Sequence, residues 1–176
     1  KPFIIYKSNK GFDLYTDFSK KIILTNHNVE KFINESTKIK SKKKETDLFI
    51  GFFGYEILNN LIGIKVKKQK SLKFPKGIFY KPETKLKFPN KLNYKNLGIV
   101  KPNKQFKINI NKVSYKVIFD KFKKKIKSGE TYQIKICTKY SNKVQIDALD
   151  YFSRLVKTNM APEAFMIKDK DYSIIS

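Results

Sequence analysis

Few side chains in this sequence could do chemistry, and those that could stand apart from one another. Cys137 is the sole cysteine and His27 the sole histidine. A single thiol rules out an internal disulfide framework, and with one distant imidazole it offers neither a Cys/His metal cluster nor a thiol nucleophile paired with a base. It also makes a reducing cytoplasm the natural compartment. His27 sits in Thr25-Asn26-His27-Asn28, a context that predicts a turn or cap residue. Acidic pairs such as Asp169 and Asp171 could in principle share acid and base duties, but they fall in Lys168-Asp169-Lys170-Asp171 between two apolar runs. Aspartate is a standard turn former, so the pair reads as turn chemistry. There is no Gly-rich phosphate loop, no nucleophile elbow and no HExxH.

The elements that would position any site are clearest in the last third. Ser114 is read as an N-cap, and Tyr115, Ile118, Phe119, Phe122 and Ile126 recur at helical spacing up to Gly129, where a helix-terminating glycine belongs. Tyr132, Ile134, Ile136, Thr138 and Tyr140 then alternate with Gln133, Lys135, Cys137 and Lys139, the period of a strand with one buried face. Asp147 is placed to cap a second helix carrying Leu149, Phe152, Leu155 and Val156, and the runs 164–167 and 172–175 form a hairpin. The strands 132–140 and 164–175 are expected to lie in a sheet whose neighbours are encoded further on.

Earlier in the chain, Phe3 to Tyr6, Phe12 to Tyr15 and Lys21 to Leu24 are short strand-like pieces parted by turn formers such as Asn9-Lys10-Gly11, and Val29, Phe32, Ile33 and Ser36 predict a helix. Lys38 to Thr46 reads as a charged loop. Leu48 to Phe53 suits a strand buried on both faces, followed by a short helix over Tyr55 to Leu61. From Lys65 to Lys112 the prolines 75, 82, 89 and 102 predict loops and edge strands at Gly77 to Tyr80, Thr84 to Phe88 and Phe106 to Ile110. Antiparallel strands interleaved with helices indicate an α+β fold.

Composition narrows the function classes. At 176 residues with 40% hydrophobic and 14% aromatic content, the chain can build a core. Its 39 Lys and Arg against 15 Asp and Glu give a net charge of +24, which taken alone suggests a polyanion partner. Arg154, however, is the lone arginine, and readers of nucleic acid rely on arginine for bidentate contacts that lysine cannot reproduce. The lysines are spread along the whole chain, and Lys40-Ser41-Lys42-Lys43-Lys44 is a solvated run. A basic nucleic-acid-binding module is therefore the competing class, with weak, salt-sensitive and sequence-blind affinity as its expected limit. The apolar stretch 48–64 is interrupted by Glu56, Asn59 and Asn60 and falls short of the roughly 20 residues of a membrane span. The first residues are too polar for a signal peptide.

Four segments, in order, carry a family resemblance. Ser128-Gly129-Glu130-Thr131-Tyr132-Gln133-Ile134 resembles the helix-to-strand junction of the anthranilate synthase / aminodeoxychorismate synthase component I family. Thr158-Asn159-Met160-Ala161-Pro162-Glu163-Ala164-Phe165 resembles that family's Asn-x-(Ser/Ala)-Pro loop, and Tyr172-Ser173-Ile174-Ile175-Ser176 is similar to the strand that enters its Ser-Pro-Glu motif. Ile50-Gly51-Phe52-Phe53-Gly54-Tyr55-Glu56 is similar to its Gly-x-x-Gly-Tyr-(Asp/Glu) segment. Taken singly, each has a plain structural reading: Gly129 stops a helix, Pro162 shapes a loop, and Gly51 and Gly54 permit close packing.

The resemblance implies a chorismate-using amination enzyme with an α+β fold of antiparallel sheets packed with helices, incomplete in this chain. On this reading residues 1–112 are the N-terminal region of component I and residues 113–176 begin the chorismate-binding domain. It further implies Mg²⁺ as cofactor, with ligands outside this chain, and a glutaminase subunit delivering ammonia. The family's catalytic residues are expected beyond Ser176, and none is assigned within 1–176. Asn159, Met160, Ala161, Pro162, Glu163 and Phe165 are expected to line a regulatory or vestigial pocket. In anthranilate synthases, which serve tryptophan biosynthesis, this loop helps bind tryptophan and an aromatic commonly follows the proline. Glu163 stands there instead, and the loop looks more like the aminodeoxychorismate branch, which leads to para-aminobenzoate and folate.

Overall fold

The computed structural model describes residues 1–38, 44–64, 74–88, 106–143 and 146–176. The run Lys40 to Lys43 and the prolines 89 and 102 lie outside them. The chain divides into two units, one made of 1–95 with 148–176 and the other of 96–147.

The first unit is α+β. Its six-stranded antiparallel sheet has the order β3-β4-β2-β1-β7-β8, where β1 is Phe3–Ser8, β2 Gly11–Ile23, β3 Ile50–Phe53, β4 Gly77–Phe88, β7 Ala164–Lys168 and β8 Ser173–Ile175. Asn9 and Lys10 make the tight turn from β1 to β2, and Gly11 follows at φ 124°, a backbone state that glycine adopts without strain. The hairpin of β7 and β8 stands where the alternation predicts it, but its neighbour is β1: Ile4 lies opposite Ile167 and Tyr6 opposite Phe165. The expectation that the sheet around 164–175 would wait for partners encoded further on is thereby corrected for β7, while β8 is the last strand in the order.

Two of the expected pieces join into β2, and two more into β4. Pro82 lies inside β4, which pairs with β2 along its length but with β3 only over Gly77 to Tyr80, so among the described residues Pro82 has a partner strand on one side alone, as an edge proline should. A proline fits inside such a strand because the β2–β4 ladder is irregular there, shifting register between Phe18 and Lys20, next to Asp17 at φ 51°. The missing N–H falls where the ladder is already broken. The strand from Leu48 shortens to β3, an edge strand of half-exposed residues rather than one buried on both faces.

Neighbouring residues of β1 feed different cores. Ile4 packs with Tyr15, Ile78, Tyr80 and Ile167. Ile5, on the opposite face, packs with Phe12, Ala164, Met166 and Phe152. Phe152 is fully buried and belongs to α4, Ala148–Asn159, which starts directly after Asp147. A third cluster joins Val29 and Phe32 of α1 (Val29–Thr37) to Leu24 and to Ile57 of α2 (Tyr55–Leu61). His27 lies in the turn before α1, its N–H donating to Thr25 Oγ1, and Asn28 ties that turn through Thr25 N–H and the Ile23 carbonyl.

The second unit contains α3, Lys112–Lys127, and a short ladder of β5 (Lys107–Ile108) with β6 (Tyr140–Ser141). The cap of α3 is Asn111, three residues before the expected Ser114: its Oδ1 accepts the Ser114 N–H at 2.8 Å. Lys124, Lys125 and Lys127 in the last turn suit the negative end of the helix dipole. Residues 132–139 form no ladder, contrary to the predicted strand. Their alternation survives only as exposure, with Ile134, Ile136 and Thr138 half-buried and Gln133, Lys135, Cys137 and Lys139 exposed. Replacing Asn111 by alanine is expected to remove about 1 kcal/mol of local helix stability. Amide hydrogen exchange should show it as faster exchange at Ser114 with β5 and β6 unchanged.

Candidate functional site

The alternation of β1, β2 and β7 builds a groove in the first unit. Ile4 and Tyr6 share a face of β1, Tyr15 stands opposite Ile4 on β2, and Phe165 and Ile167 stand opposite Tyr6 and Ile4 on β7. Leu48, Ile50 and Gly51 complete the lining of a cavity of about 270 Å³. β3 lies four places from β7 in the strand order, yet both supply walls, because the sheet curls. Gly51 lets the backbones of β3 and β4 close up: a Cβ there would meet the Ile78 carbonyl oxygen at 1.9 Å.

The groove is apolar with phenol groups at its border. Lys85 Nζ sits 5.5 Å from the centre of the Tyr15 ring and 3.0 Å from an Asp13 carboxylate oxygen. Burial pushes the Tyr15 hydroxyl up from its ordinary value, Asp13 adds to the rise, and Lys85 opposes it. Tyr6 is raised by its hydrogen bond to Glu163 and by burial. Both phenols thus stay protonated and present O–H donors.

The loop from α4 to β7 carries the residues singled out by the sequence, and they do not gather at one place. Phe165 lines the groove. Pro162 and Glu163 border a separate shallow depression of about 390 Å³ together with Ser8, Asn9 and Lys10. The Ala161 carbonyl accepts a hydrogen bond from Lys7 Nζ at 2.6 Å, which ties the loop to β1. Met160 has φ 42° and its side chain is 87% exposed, and Asn159, the last residue of α4, is exposed too. Ile4, Tyr6, Tyr15, Leu48, Ile50, Gly51 and Ile167 are groove residues that sequence reasoning did not select. The Ile4/Tyr6 and Phe165/Ile167 alternations were the available signal.

Asp169 departs most from its expected role. It is no mere turn residue: its side chain is 4% exposed and forms an ion pair with Lys21 Nζ at 2.6 Å, and the Tyr80 hydroxyl donates to the same carboxylate oxygen. Its other oxygen accepts the Lys170 N–H at 2.6 Å. Burial works to raise its pKa, but the hydrogen bonds from Lys21, Tyr80 and Lys170 outweigh it and hold the carboxyl at about 2. Burial and the hydrogen bond to Asp169 push Tyr80 far up. Asp171, by contrast, is exposed.

In the second unit, the segment after α3 is organised by Gly129 and Glu130. Gly129, at φ 75°, donates its N–H to the Ile126 carbonyl, and Glu130 N–H reaches the Lys125 carbonyl. The Glu130 carboxylate pairs with Lys125, whose hydrogen bond lowers its pKa. Among the described residues no three or more His, Cys, Asp or Glu side chains come together to hold a metal ion, and no helix is long and apolar enough to cross a membrane. No curated protein matches the chain. Residues 98–176, which take in α3, the Gly129-Glu130 turn, α4 and the β7–β8 hairpin, match the family model described as chorismate binding enzyme, and this match supports the chorismate-binding enzyme family.

Proposed function

We propose that this chain serves an enzyme that aminates chorismate, as aminodeoxychorismate synthase component I on the route to para-aminobenzoate and folate. The observation that carries the reading is the match over residues 98–176, in which Gly129, Glu130, Tyr132 and Gln133 follow a helix in the order the family uses. The choice of branch rests on the loop Asn159-Met160-Ala161-Pro162 with Glu163 after the proline. Glu163 is exposed and hydrogen-bonds Tyr6 at the border of the groove, so the position that commonly carries an aromatic in anthranilate synthases presents a carboxylate. Anthranilate synthase component I is the alternative within the family.

The reading brings a glutaminase subunit as source of ammonia and Mg²⁺ to clamp the substrate carboxylate and assist departure of a hydroxyl. Among the described residues no three acidic side chains converge, the magnesium ligands are proposed to lie outside them, and no catalytic step is assigned to them. Accordingly, calorimetric titration of the 176-residue chain with chorismate and Mg²⁺ is expected to give no saturable, Mg²⁺-dependent heat. A clear isotherm would place a site within these residues. The branch is tested with an enzyme that contains this chain, supplied with chorismate, ammonium and Mg²⁺. Aminodeoxychorismate is the expected product; anthranilate would move the protein to the alternative, and turnover to neither would overturn the amination reading.

A further inference from the structure

We draw no further inference here: the strongest candidate, the lysine-flanked apolar face of α3 that leaves Tyr115, Phe119 and Ile126 at the surface, carries nothing because no feature of the described residues shows what covers it.

Discussion

A methyl group added at Gly51 is expected to pull β3 off the sheet. In the Gly51→Ala variant the new Cβ would lie 1.9 Å from the Ile78 carbonyl oxygen and 2.7 Å from the Phe79 Cα, and both obstacles are backbone. No rotamer change relieves such a clash. The chain must move, and β3 is an edge strand whose one strand partner among the described residues is β4. Overpacking a fitted site costs about 1–3 kcal/mol, and a clash with backbone belongs at the upper end, so a loss of about 3 kcal/mol is expected, or roughly 10 °C in melting temperature for a chain of this size. Because Ile50 and Gly51 line the groove, its β3 wall would move as well. Urea unfolding followed by circular dichroism measures the loss, and an unchanged midpoint would show that β4 can yield.

Asp169→Ala is expected to cost a comparable amount for a different reason. Tyr80 is 1% exposed, and without the carboxylate its hydroxyl keeps no charged acceptor in the core, a penalty of about 1–3 kcal/mol. Lys21 is 44% exposed and can turn to water, so its share is small. A total of about 1–3 kcal/mol follows, whereas Asp171→Ala, at an exposed position, should stay within about 0.5 kcal/mol. The pH dependence separates charge from packing. Since the folded pKa of Asp169 is lowered from 3.8 to about 2, the folded state binds its proton less readily than the unfolded chain does. The stabilisation is therefore complete above the unfolded value and is lost as pH falls through the window from 3.8 to about 2. The gap corresponds to roughly 2 kcal/mol. Asp169→Asn should lack this contribution, so its stability difference from the wild type should shrink on acidification. Parallel curves for the two proteins across that window would sink the assignment.

What could be read from the sequence was local. The period of Tyr115, Phe119, Phe122 and Ile126 placed α3, and the two apolar runs around 168–171 placed the β7–β8 hairpin, because neighbours along the chain determine both. Asn111 and Ser114 are both good capping types, and the Asn111 Oδ1 contact to Ser114 N–H makes Asn111 the cap rather than the expected Ser114. Asp17 and Pro82 look like strand breaks, yet a bulge takes up the irregularity and leaves β2 and β4 continuous. The alternation in 132–140 encodes a half-covered face but not the partner that a ladder requires. The groove was hidden for the same reason: Tyr6 and Tyr15 share a local hairpin, but Ile50 and Phe165 are far from them in sequence and join them only through long-range pairing. Asp169 looked like turn chemistry because nothing near it in the chain foretells Lys21 or Tyr80.

The pairing of β1 with β7 joins residues 3–7 to residues 164–168, and this has a consequence for how the protein is made. A polypeptide leaves the ribosome from its N-terminus, so β1 and β2 can form their hairpin first, but the other edge of β1 must wait until residues 164–168 have been synthesised. During that interval Phe3, Ile5 and Met166, which share one core, cannot shield one another, and an open strand edge invites pairing with a neighbouring nascent chain. Contacts this distant in sequence also close slowly, since the loop entropy is spent before the contact returns anything. Until then the open edge of β1 is a site for association with other chains, and the lysines at positions 1, 7 and 10 add like-charge repulsion beside it.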